Sequence, residues 1–164
     1  MIASATEPKP TATREVTLTR VFDAPRAMVW NAWIDPKQMA QWWGPHHFTN
    51  PRCELDVRPG GAIRIDMRAP NGTVYPMGGH FDEIVPHERL VFTAIAEDHD
   101  GNALLESVTT VTFVEEGGEA SGKTRITVHA KAVGLAPVAP QMLAGMEAGW
   151  TQSLERLAAL VARS

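Results

Sequence analysis

A chain of 164 residues, 44% apolar and 21% charged, has the size and composition of one globular domain around a single core. Its formal net charge of −4, with the basic residues scattered, argues against a general nucleic-acid binder. One cysteine, Cys53, closes no internal disulfide, and no apolar run approaches the roughly 20 residues that span a bilayer. With no secretory profile at the N-terminus, a cytoplasmic protein without membrane insertion is expected.

Met1–Thr13, rich in Ala, Thr and Pro and without periodicity, reads as a flexible tail, leaving 14–164 as one domain. Glu15–Phe22 alternates, with Val16, Leu18 and Phe22 sharing a face with Arg20, the pattern of a half-buried strand. Pro25 suits the first position of a helix that gathers Val29, Trp30, Trp33 and Ile34 on one side and ends at Asp35-Pro36. Lys37–Trp43 reads as a second short helix, with Met39, Trp42 and Trp43 at helical spacing and Gly44-Pro45 as its stop.

From Arg52 the period falls to two. Cys53, Leu55 and Val57 alternate with charged residues, as do Ile63, Ile65 and Met67 after the Pro59-Gly60-Gly61 turn. Asn71-Gly72 is a strong hairpin signal. It leads into Val74–Val85, with Tyr75, Met77, Phe81 and Val85 on one face and Gly79 and Glu83 between them. Pro86-His87-Glu88 turns into Arg89–Glu97, where Leu90 and Phe92 share a face. Leu104–Val114 and Thr124–Val133 follow, joined by the Gly-rich loop Glu115–Gly122, and short hairpin-linked strands imply an antiparallel meander. From Ala139 the apolar residues recur at three and four, predicting one long helix whose stripe has the sheet as its partner. The fold class is α+β: a strand, two short helices, antiparallel strands and a long C-terminal helix.

The stretch Gln41–Phe48, QWWGPHHF, is the densest in large amphipathic side chains. Neighbouring helical residues point about 100° apart, so Trp42 and Trp43 face different surroundings, one the core and one a pocket mouth or solvent. His46 and His47 point to opposite sides of extended backbone and make a poor metal pair; one is expected at a polar point of a pocket, the other in solvent. Met67, Met77, Met142 and Met146 offer either a deformable lining or ordinary core. Gly145 and Gly149 in the last helix either permit close approach to the sheet or leave space beneath it. Arg20 and Glu83, each on an apolar strand face, are expected to pair or to reach a rim. No nucleophile elbow or phosphate-cradling loop is present, and Cys53 has no sequence-adjacent base, so no catalytic residue is assigned.

Five motifs in order carry a family resemblance. They are Arg20–Pro25 with Val29-Trp30, then Asp35-Pro36 leading to Trp42–Pro45, Asp56–Gly61, Gly79–Ile84 and Glu88–Thr93. With them the chain resembles the family named after the activator of Hsp90 ATPase, within the START and birch-pollen-allergen (SRPBCC) superfamily. The resemblance implies a helix-grip fold, a curved antiparallel sheet wrapped around the C-terminal helix, enclosing a cavity that often holds an apolar or amphipathic small molecule. The expected lining is Trp33, Trp42, Trp43, His46, Phe48, Met67, Met77, Phe81, Glu83, Phe92, Met142, Met146 and Trp150. A small apolar or aromatic ligand is the expected partner, with no cofactor, no metal and no nucleic acid, in a monomer or homodimer. A cyclase- or lyase-like enzyme using the same cavity, and a stress-response or chaperone-associated interaction domain, are the alternatives.

Overall fold

The computed structural model describes residues 12–118 and 121–162. Residues 1–11 of the expected tail lie outside that range, whereas Thr13 already opens the first strand. The elements run β1 (Thr13–Phe22), α1 (Arg26–Ile34), α2 (Pro36–Trp42), β2 (Thr49–Leu55), β3 (Ala62–Arg68), β4 (Val74–Val85) and β5 (Arg89–Glu97). They continue with β6 (Ala103–Glu116), β7 (Lys123–Gly134), α3 (Ala139–Ala144) and α4 (Met146–Ala162). The α+β expectation holds. Seven antiparallel strands form one sheet in the order β1-β7-β6-β5-β4-β3-β2. Strands β2 to β7 form the meander, while β1 reaches across to β7, with Thr13 opposite Val133 and Phe22 opposite Thr124.

Alternation explains the layering. Ile63 and Ile65 on β3, Leu90 and Phe92 on β5, Val111 and Phe113 on β6, and Ile126 and Val128 on β7 are all buried on the face that meets the helices. From the other side come Trp30 and Trp33 of α1, Trp42 of α2, and Leu154 and Leu157 of α4. Trp33 sits among Trp42 (ring centroids 4.6 Å apart), Phe92, Phe113 and Trp150, so an aromatic cluster joins both short helices to the last helix.

Four local expectations are corrected. Pro25 is the residue before α1 rather than its first: its backbone is extended and its carbonyl takes the N–H of Val29 at 3.1 Å. Val57 lies past the end of β2 and is exposed, because the Asp56 N–H turns back to the Ala62 carbonyl and closes the loop there. On β4 the pairing shifts between Phe81, opposite Phe92, and Glu83, opposite Val91, so Asp82 is an extra residue in a β-bulge. Beyond it the two-residue phase inverts, which sends Glu83 outward. Finally, the single C-terminal helix is two, parted at Gly145, whose N–H bonds to the Gln141 carbonyl as α3 closes and before α4 begins.

Candidate functional site

A cavity of about 260 Å³ opens between the sheet and the α3–α4 segment. Its floor exists because small residues occupy inward positions on three neighbouring strands. Ala94, Ser107 and Ala132 form one cross-strand row over β5, β6 and β7, and the next row is Phe92, Thr109 and Ala130. Large β-branched or aromatic residues at these positions would fill the gap that the curved sheet leaves under the helix. The roof is Met142, Met146, Gly149, Trp150 and Ser153. A Cβ added at Gly149 would meet nothing within 4 Å, so this glycine leaves space and does not serve a close approach to the sheet. Met67 and Met77 close one side, and Trp43-Gly44-Pro45 the end.

The end wall is aromatic. Trp43 meets Trp150 edge-to-face at 5.6 Å and lies 6.1 Å from Phe92, and Trp150 stacks on the fully buried Trp33 at 6.1 Å. Gly44 is required beside them. Its φ of +97° favours glycine, and a Cβ there would stand 3.0 Å from Met67 Sδ.

Three polar residues of α4 hold this turn. The Gly44 N–H donates to Ser153 Oγ at 3.1 Å, and the His46 N–H to Gln152 Oε1 at 2.9 Å. Arg156 Nη1 donates to the carbonyls of Trp43, Gly44 and Pro45 at 3.0–3.1 Å, and Nη2 to that of Gln41 at 2.9 Å. A cation at the carbonyl end of α2 is favoured by the helix dipole as well as by these bonds. Burial pulls the Arg156 guanidinium down from its usual pKa, but arginine keeps its charge in proteins. Asn50 Nδ2 adds bonds to the Ala40 and Trp43 carbonyls from the start of β2.

Seven of the expected residues line this cavity: Trp43, Met67, Met77, Phe92, Met142, Met146 and Trp150. The others lie elsewhere. Trp42 is fully buried, donating from Nε1 to the Ala32 carbonyl at 2.8 Å, so the two neighbouring tryptophans do part company. Trp33 stands behind Trp150, and Phe81 fills the core between β3 and β5. Phe48 leans towards Tyr75 at the sheet margin. His46 is exposed and pairs with Glu155 of α4 at 3.0 Å, and His47 is exposed on a left-handed backbone, so neither histidine reaches the cavity. Glu83, turned out by the bulge, pairs with Arg89 at 2.6 Å, and Arg20 donates to its neighbour's carbonyl on Thr19; the two do not meet. The residues that sequence reasoning passed over are the small ones, Ala94, Ala96, Ser107, Thr109 and Ala132, with Leu105, Pro45 and Ser153. Their signal was small side chains at alternate positions of three successive strands.

The lining carries no ionisable side chain. Its polar side chains are the hydroxyls of Ser107, Thr109 and Ser153. Cys53 lies outside it, and burial, with Asp35 and Glu54 adding to the effect, pushes the thiol up to about 11. Among the described residues no group of three or more His, Cys, Asp or Glu side chains converges as a metal site.

Comparison with known proteins gives one family. The profile of the family described as "Activator of Hsp90 ATPase homolog 1-like protein" matches residues 23–162. No protein among those of curated function matches the chain. Among solved structures, a Chromobacterium violaceum protein is 31% identical with a TM-score of 0.71, over 90% of this chain and 96% of that one. An Arthrobacter aurescens protein reaches a TM-score of 0.76 at 24% identity, over 95% and 94% of the two chains. An AHSA1 protein from Silicibacter pomeroyi reaches 0.75 at 24% identity, over 91% and 98%. These last two likenesses are of fold.

Proposed function

Because the chain belongs to the Activator of Hsp90 ATPase homolog 1-like family, whose helix-grip domain encloses space between sheet and helix, we propose that it binds a small apolar or aromatic molecule there. The observation that carries this reading is the cavity of about 260 Å³ walled by Trp43, Trp150, Phe92 and four methionines. An apolar cavity of about 150 Å³ takes up benzene, so this one has room for about two fused rings. Aromatic walls with a few placed polar groups are typical of small-molecule sites. Methionine adapts to irregular ligand shapes at little cost.

Cyclase- or lyase-like chemistry needs titratable groups converging on the substrate. The groups that such a role would call on, His46, His80 and Glu83, pair with Glu155, Asp82 and Arg89 and are not among the lining residues, and no observation favours that reading. Binding to the native state alone raises stability by mass action, about 2.7 kcal/mol at a hundred times Kd. The test is therefore native mass spectrometry of the protein isolated from its own cells, followed by thermal shifts with aromatic metabolites and lipids. A co-purified small molecule that raises Tm and whose binding is lost in Gly149→Leu supports the reading. Protein that carries nothing and is stabilised by none of the panel overturns it.

A further inference from the structure

Sulfur is concentrated at the cavity. Of the seven methionines in the chain, four line it: Met67, Met77, Met142 and Met146. They do not sit at one depth. Met77, like Phe92 and Ala132, is buried, whereas Met67, Met142 and Met146 are half-buried and belong to the rim that solvent reaches. Met67 comes from β3, and the other two from either side of the break between α3 and α4, so thioethers stand on two sides of the opening. The Met67 sulfur lies against the turn that closes the cavity, since a Cβ on Gly44 would stand 3.0 Å from it.

Deformability accounts for methionine in such a wall, but it also opens the wall to a chemistry that leucine lacks. Hydrogen peroxide oxidises a thioether: a sulfur lone pair attacks one peroxide oxygen, the O–O bond breaks, an S–O bond forms and water leaves. The product, methionine sulfoxide, is polar, and reductases reverse it. The chain's only cysteine is no competing target. Cys53 lies outside the lining, and its thiol, pushed up to about 11, is protonated at neutral pH, whereas the thiolate is the reactive form.

Resting on the binding reading above, we infer that Met67, Met142 and Met146 are a modification site: oxidation of these three thioethers by hydrogen peroxide switches the cavity from binding to non-binding, and reduction restores it. A sulfoxide oxygen held against an apolar ligand loses its hydrogen bonds to water, and one turned out to water withdraws its side chain from the wall. Either arrangement costs the ligand affinity. Met77 and the buried Met39 keep their thioethers. Met28, half-buried in a groove between the two short helices and α4, oxidises without effect on binding.

The experiment treats the full chain with hydrogen peroxide and reads each methionine by peptide mass spectrometry. Naphthalene binding is measured by thermal shift and ligand-observed NMR before treatment, after it, and again after methionine sulfoxide reductase, while circular dichroism follows the fold. The triple variant Met67→Leu/Met142→Leu/Met146→Leu and the control Met28→Leu are treated alongside, each compared with its own unoxidised state. The expected result is sulfoxide at the three rim methionines well before Met39 and Met77. Naphthalene affinity then falls about tenfold or more in a chain that is still folded, and reductase restores it. Met28→Leu shows the same fall, and the triple variant shows none, whatever affinity it starts from. Rim methionines that oxidise no faster than Met39 and Met77, intact binding by the oxidised chain, an equal fall in the triple variant, or oxidation that unfolds the chain overturns the inference and leaves the binding reading standing. Naphthalene that fails to bind the unoxidised wild type overturns both.

Discussion

Gly149→Ala is expected to stabilise the protein. Gly149 is the fourth residue of α4, where glycine costs about 1 kcal/mol relative to alanine through backbone entropy. In most buried helices that gain is offset by a clash, but here a Cβ would meet nothing within 4 Å. The full propensity difference should therefore appear, about 0.5–1 kcal/mol. In a domain of this size that is a rise in Tm of about 1–4 °C. Gly149→Leu takes the same position further. Its side chain enters the cavity, gains about 1.5–3 kcal/mol if fully buried, and occupies the space a ligand needs. Differential scanning calorimetry on wild type, Gly149→Ala and Gly149→Leu checks the series, with ligand-induced thermal shifts as the second readout. A lower Tm for Gly149→Ala would show that the added methyl group meets the sheet, against the open space at Gly149. A Leu variant that still responds to ligand would place the binding site elsewhere.

Other perturbations test the surroundings. Replacing Arg156 by Met removes charge-assisted bonds to four carbonyls and should cost about 2 kcal/mol; faster hydrogen exchange at the Gly44 and His46 amides, which bond to α4, would confirm the loosened turn. The His129 ring, bonded to Glu15, holds that carboxyl below its ordinary 4.5. A carboxylate lowered in the native state stabilises above 4.5, and its contribution is lost as pH falls through the lowered value. Urea midpoints of wild type and Glu15→Gln should therefore differ at pH 6 and converge near pH 2; a gap that widens on acidification contradicts the assignment. Cys53, raised from 9.0 to about 11, should hold about a hundredfold less thiolate at pH 8 than in the unfolded chain. Reaction with a disulfide reagent should be correspondingly slow until urea is added.

The parts of this fold that were legible in the sequence are those with a strong period. Ile63-Ile65 and Leu90-Phe92 announced strands because each alternates with polar neighbours, and Trp30 and Trp33 announced a helix face. The bulge at Asp82 escaped because one inserted residue leaves no mark in composition, yet it reverses every side chain after it, Glu83 included. The break at Gly145 escaped because the apolar stripe continues in phase across it, from Met142 and Leu143 to Trp150 and Leu154. The large half of the cavity wall was found, since tryptophan and methionine draw attention. The small half was not, since a cavity is made by missing atoms and an alanine in a strand looks like weak strand propensity. His46 was misplaced for a related reason: its position depends on Arg156, Ser153 and Gln152, which fix the turn from more than a hundred residues away.

The strand order has a consequence for how the chain reaches its native state. From β3 to β7 each strand pairs with the one just before it, so that meander can assemble by successive short loop closures. Strand β1 has no partner until β7 exists, and α4 comes later still. Such distant pairings are slow to form. Trp30, Trp33 and Trp43 therefore lack part of their packing until Phe92 of β5, Phe113 of β6 and Trp150 of α4 arrive. Trp150 completes the cluster by stacking on Trp33. The change in tryptophan fluorescence during refolding should accordingly lag behind the far-ultraviolet signal of the sheet, with the late phase reporting the arrival of the last helix.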